Sequence, residues 1–179
     1  MPFFILTGGP GCGKSTVALH LEMQHGKRVV HEAAESVIRV KQAQGIKQPW
    51  TMPSFQREIW ELQNKRMLVN SDTILDVFLD RYFVDAIAYS METGTRHELP
   101  ADHEEQLDRD IPVFFFESLD THEQNSYRCE DRQKALEMSQ KILDLYRRYG
   151  FKVIIVPKGS VDERSGFVLK KVEELTGRA

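Results

Sequence analysis

Gly8-Gly9-Pro10-Gly11-Cys12-Gly13-Lys14-Ser15 follows the apolar run Phe3-Phe4-Ile5-Leu6-Thr7, and its reading decides the rest of the chain. It fits G-x-x-x-x-G-K-[ST], and phosphate chemistry accounts for the spacing. Glycines let the backbone curl until successive N–H groups face one point, which makes an anion nest. A helix opening at Lys14 aims its first N–H groups at that point too. Lys14 adds a cation for the outer phosphates, and Ser15 offers a hydroxyl to magnesium. Gly8, Gly9, Pro10, Gly11, Cys12, Gly13, Lys14, Ser15 and Thr16 therefore form the expected triphosphate site. The apolar strand before the loop and the helix after it argue against a chance glycine turn.

Beyond the loop, apolar runs alternate with helical spacing. Phe3–Thr7 reads as a buried strand, and a helix runs from Lys14 to about His25, where Gly26 stops it. Arg28–Glu32 reads as a second strand, followed by a helix from Ala33 to about Ala43. Another helix begins at Pro53, with Phe55, Ile59, Leu62 and Val69 at helical spacing. Thr73–Leu79 is the third expected strand, ending at Asp80, and a helix follows through Val84, Ile87, Ala88 and Met91. Val113–Phe116 and Lys152–Val156 are the fourth and fifth strands. The helix between them carries Met138, Ile142, Leu145 and Tyr149, and a last helix carries Val161, Val168, Val172 and Leu175. Alternation of this kind implies an α/β fold, a parallel sheet covered by helices on both faces. Ligands of such sheets bind beyond the carboxyl ends of the strands.

Polar residues at those ends are the candidates for chemistry. Asp80 closes an apolar strand where an acid can hold magnesium, usually through water; a helix cap is its bland alternative. Arg81 beside it could bind an acceptor or stabilise transferred charge, unless it is a surface arginine. Glu32 ends the second strand and could act as a base toward an acceptor hydroxyl, or serve only as a helix-start acid. Asp85 is read either as facing the acceptor or as an ordinary first-turn acid, and His31 as structural. In the polar stretch of about 117–132, Arg128 and Arg132 stand four apart and share one face. They suit a lid that closes over transferring phosphate, or a solvated helix start.

Bulk properties narrow the class. The 179 residues suit one domain, 1–179, and carry 24 basic and 27 acidic side chains for a net charge of −3. That balance gives no general attraction to nucleic acid or an anionic membrane. No apolar run approaches the ~20 residues of a membrane helix, and the start lacks the basic leader of a signal peptide. Two cysteines, Cys12 and Cys129, have no metal-ligand spacing, and one lies in the glycine loop. A reducing, cytoplasmic setting is expected, and a homodimer stays open.

Taken together, the loop, Glu32-Ala33-Ala34, and Asp80-Arg81 with Asp85-Ala86-Ile87-Ala88-Tyr89 resemble the P-loop ATPase/kinase family associated with NAD metabolism, near nicotinamide riboside kinase domains. The segment from Asp80-Arg81-Tyr82 to Ala88-Tyr89 is also similar to thymidylate kinases. The resemblance covers essentially the whole chain, with Tyr146–Pro157 and Ser160–Arg164 fitting the last strand and helix. It implies an open five-stranded sheet in the order 2-3-1-4-5, a lid carrying Arg128 and Arg132, and an adenine slot near Pro157–Ser160. Where the family often has an arginine three residues after the glutamate, this chain has Glu35.

The expected function is phosphoryl transfer from magnesium–ATP to a small-molecule acceptor such as a nucleoside, nucleotide or related metabolite. Lys14 and the loop would hold the phosphates, Ser15 and Asp80 the magnesium. Glu32 would be the base, and Arg81, Arg128 and Arg132 the charge stabilisers. The alternative is an ATPase or nucleotide-dependent switch with no small-molecule acceptor. A nucleic-acid-processing ATPase is disfavoured by charge and length. A GTPase is disfavoured because Asn64-Lys65 lies in a helical pattern without the following Asp.

Overall fold

The computed structural model describes residues 3–71, 75–95, 105, 107–119 and 132–177. Strands and helices alternate: β1 (Phe3–Gly8), α1 (Lys14–His25), β2 (Arg28–Val30), α2 (Ala34–Ala43), a 3-10 turn (Pro49–Thr51), α3 (Phe55–Val69), β3 (Val77–Asp80), α4 (Phe83–Glu92), β4 (Val113–Phe116), α5 (Arg132–Arg148), β5 (Val153–Val156) and α6 (Val161–Thr176). The sheet order is β2-β3-β1-β4-β5, as expected, and every pairing is parallel. All strands therefore end on one edge, and β1 with its glycine loop stands at the centre.

Strand parity divides the core in two, because successive side chains in a strand point to opposite faces. Ile5, Val77, Leu79, Val113 and Phe115 pack with Trp60 of α3, Phe83 and Ile87 of α4, and Ile142 and Tyr146 of α5. Phe4, Leu6, Phe78, Phe114 and Phe116 pack on the other face with Val17 and Leu21 of α1 and Val168 and Val172 of α6. The same parity sorts the polar residues. Asp80 shares the face of Phe78 and reaches α1, whereas Thr7 shares the face of Ile5 and reaches α4.

Three boundaries differ from the sequence-based expectation. β2 stops at Val30, because it pairs only with β3, from Arg28 opposite Val77 to Val30 opposite Leu79. His31 and Glu32 lie beyond the ladder, where His31 pairs with Glu22 of α1 and Glu32 approaches Lys14. α3 starts at Phe55 rather than Pro53, preceded by the unforeseen 3-10 turn, with Ser54 Oγ donating to Glu58 Oε1 at 2.9 Å. β3 begins at Val77 and includes Asp80; residues 72–74 lie outside the described residues. Among the described residues no helix is long and apolar enough to cross a membrane.

Candidate functional site

Lys14 opens α1 after Gly13, which takes the left-handed conformation at φ 81°. Glycine enters that region without the penalty a Cβ imposes. Gly9 answers a different demand. A Cβ there would lie 2.6 Å from Ser139 Cβ and 3.0 Å from the Ala135 carbonyl oxygen. The loop is thus pressed against the first turns of α5, and only glycine leaves room.

Lys14 Nζ meets the strand ends. It lies 3.2 Å from Asp80 Oδ1 and 3.7 Å from Glu32 Oε2, and donates to Ser15 Oγ at 3.2 Å. Burial works to lower the pKa of the Lys14 amine, and Arg81 adds to that. The Asp80 and Glu32 carboxylates outweigh both, and the net shift is upward. Asp80 Oδ1 is buried and, despite its nearness to Lys14, accepts no hydrogen bond of good geometry. This orphaned oxygen and the Ser15 hydroxyl, each 3.2 Å from Lys14 Nζ, suit a magnesium ion, which takes hard oxygen donors and needs only one or two from the protein when phosphates supply the rest.

Arg81 is the one non-glycine with positive φ, 74°, among the described residues. Its backbone N–H donates to the Leu6 carbonyl at 3.0 Å, which carries the pairing of β3 one step past the strand before the chain turns. The left-handed geometry costs about 1–2 kcal/mol for a residue with a Cβ, so the surroundings must enforce it. They do so through the guanidinium. Its Nε lies 3.0 Å from Glu32 Oε2, Nη1 donates to Asp85 Oδ1 at 3.1 Å, and Nη2 donates to Tyr89 Oη at 3.2 Å. The group also stands 5.0 Å from the centre of the Tyr89 ring. Burial disfavours its charge, but Glu32, Tyr89 and Asp85 reverse that and raise its pKa well above the ordinary value.

Asp85 does not face outward to an acceptor. It is 1% exposed and receives Thr7 Oγ1 at 2.7 Å, Tyr146 Oη at 2.6 Å and the Tyr82 N–H at 3.2 Å, besides Arg81. It ties β1, the turn after β3, α4 and α5 into one buried knot. Of the two arginines expected in a lid, Arg132 is the exposed first residue of α5, one turn before Ala135. Arg128 lies outside the described residues. Glu35 pairs with Arg39 on the exposed face of α2.

Arg164 was not singled out from sequence. It is 2% exposed, and its Nη1 donates to the Cys12 carbonyl at 2.6 Å and its Nη2 to the Glu117 carbonyl at 3.0 Å. Its position was the available signal. Val161, Arg164, Ser165, Val168 and Val172 follow helical spacing, so an arginine stands on the stripe that must be buried.

The sequence matches the AAA domain family over residues 3–164. The chain belongs to this family. No functionally curated protein matches it. Among solved structures, this AAA domain is similar to a deoxyadenosine kinase from M. mycoides, at 12% identity and TM-score 0.69, over 96% of this chain and 99% of that one. It is similar to a NadR protein in complex with NR, at 19% identity and TM-score 0.68, over 98% of this chain and 52% of that one. It thus spans about half of NadR. A thymidylate kinase from Candida albicans matches at 16% identity and TM-score 0.53, over 99% of this chain and 93% of that one. At these identities the likeness establishes the fold, which is that of P-loop kinases.

Proposed function

We propose that the protein transfers the γ-phosphoryl group of ATP to a hydroxyl of an uncharged small molecule of the nucleoside class. The reading is carried by one observation: Glu32 stands 3.7 Å from Lys14, so a carboxylate borders the site where the loop's lysine would meet the outer phosphates. Glu32 is 23% exposed, enough for an acceptor to reach it. In the proposed step the acceptor oxygen bonds to the γ-phosphorus, the bond from phosphorus to the β,γ-bridging oxygen breaks, and ADP leaves. The hydroxyl proton passes to Glu32. Lys14 and the loop's N–H groups hold the phosphates, and Arg132 and Arg128 supply charge from the lid. Ser15 and Asp80 would hold magnesium, which supplies charge neutralisation on the phosphate oxygens.

Support for an uncharged acceptor comes from Arg81. Its charge is already balanced by the Glu32 and Asp85 carboxylates, and Nη2 donates to Tyr89 Oη, so it offers a phosphate monoester a compensated cation rather than an unpaired one. The kinase-like fold agrees with transfer as the reaction class. The test is ATP turnover with a panel of nucleosides, nucleotides and sugars added singly. One nucleoside should raise turnover well above the basal rate while its 5′-monophosphate does not. Turnover that no acceptor changes would favour a switch or ATPase instead.

A further inference from the structure

Arg164 reaches the phosphate loop from 152 residues away in sequence. It lies in the first turn of α6, which is fixed by Ser160: the Ser160 hydroxyl accepts from the Glu163 N–H, and the Glu163 carboxylate accepts from the Ser160 N–H. The guanidinium is packed over the Phe116 ring, 4.7 Å from its centre, so its plane is set before it meets the loop. A Cβ added to Gly13 would lie 3.4 Å from Arg164 Nη1, which puts the cation directly behind the Cys12–Gly13 peptide.

A trans peptide points its C=O and its N–H in opposite directions. Holding the Cys12 carbonyl from one side therefore turns the Gly13 N–H to the other, where a bound phosphate would meet it. A charged donor on the carbonyl also polarises that peptide and strengthens its N–H as a donor. The rigid fork of arginine suits the task, because its second arm holds the Glu117 carbonyl at the end of β4. Burying a guanidinium is unfavourable, and its Nε is left without a hydrogen bond.

We infer that Arg164 is a positioning residue for nucleotide binding: it presets the Cys12–Gly13 peptide of the phosphate loop, so that phosphate affinity depends on a group that never touches the nucleotide. The inference concerns the loop alone and stands whether the protein transfers phosphoryl groups or acts as a switch. Arg164→Met keeps much of the stem and removes the charge and donors. It should weaken ATP and inorganic tripolyphosphate by about tenfold or more, the effect of losing one charge-assisted hydrogen bond, while adenosine binds as to the parent. The Gly13 amide proton should also lose much of its downfield shift on ATP addition. A merely structural arginine would weaken adenosine and tripolyphosphate alike, and that result overturns the inference, as does parental ATP affinity. Should Arg164→Met fail to fold, Arg164→Lys decides. With its charge kept but its fork lost, it should bind ATP about three- to tenfold more weakly with adenosine unaffected, and parental ATP affinity in that variant overturns the inference.

Discussion

Arg81 Nε lies 3.0 Å from Glu32 Oε2, so the proposed base and the strained arginine form one ion pair that joins the ends of β2 and β3. Because Arg81 is held on its other side by Asp85 and Tyr89, Glu32 is presented by the core rather than by its own loop. Arg66 adds a second support, donating to the His31 carbonyl at 3.0 Å and to Ser36 Oγ at 2.7 Å.

Glu32→Gln removes the base and weakens the pair with little change of shape. Acceptor-dependent turnover should fall by ~10²-fold or more, the usual contribution of a general base. ATP affinity should change far less. Combining it with Arg81→Met should produce a loss well below the sum of the two single losses, since the residues act as a unit. Steady-state kinetics of the single and double variants measure this; strict additivity would separate the two roles.

Asp80→Asn tests the orphaned oxygen. The loop's N–H groups and Lys14 remain, while the charge that suits the metal is lost. Turnover should drop steeply and recover in part at raised magnesium, with ATP binding largely kept. Lys14→Ala should instead abolish ATP binding by calorimetry while circular dichroism still reports the fold. A magnesium titration in which Asp80→Asn and parent coincide would remove the assignment.

The loop and the position of Asp80 at the end of a strand could be read directly from the sequence, because short-range pattern determines them, whereas the strand order was implied only by the family resemblance. A glycine motif, apolar runs and alternation are local. The partners of Asp85 were not local: Thr7 and Tyr146 stand 78 and 61 residues away. The sequence offered an acid in a first helical turn, and burial made it a structural hub. Arg164 has distant partners for the same reason, since its two carbonyls lie just past β4 and in the glycine loop. β2 was read too long because nothing local in Val29-Val30-His31-Glu32 shows that the chain leaves the ladder after Val30, one step before β3 ends at Asp80.

Tyr146→Phe probes that hub. It deletes one donor to a buried, multiply bonded carboxylate, and should lower unfolding stability by about 1.5–3 kcal/mol. Burial, then the neighbouring Asp85 charge, raises the Tyr146 pKa well above the ordinary value. A group whose folded pKa is raised contributes stability below its unfolded pKa, near 10, and loses it as pH climbs toward the folded value. The parent should therefore lose stability above about pH 10 more steeply than Tyr146→Phe. Denaturant midpoints across that range compare the two, and parallel curves would exclude Tyr146 as the titrating group.

Arg128 and Arg132, proposed to act from a lid, separate transfer from a switch. Arg132 is exposed at the start of α5, whose next turn meets Gly9, so its charge is near the loop but outside the core. In phosphoryl transfer, charge spreads over the outer oxygens as the transition state forms, and a donor used only then raises turnover without tightening ground-state ATP. Arg132→Ala and Arg128→Ala should each reduce acceptor-dependent turnover by ~10²-fold, as removal of one preorganised donor does. ATP affinity should fall less than turnover. Stability of Arg132→Ala should match the parent, because exposed charges contribute little to it. Single-turnover rates with the acceptor found by the panel, beside ATP affinities, supply the comparison. Parental rates in both variants would leave the stretch as a solvated helix start and shift weight to the nucleotide switch.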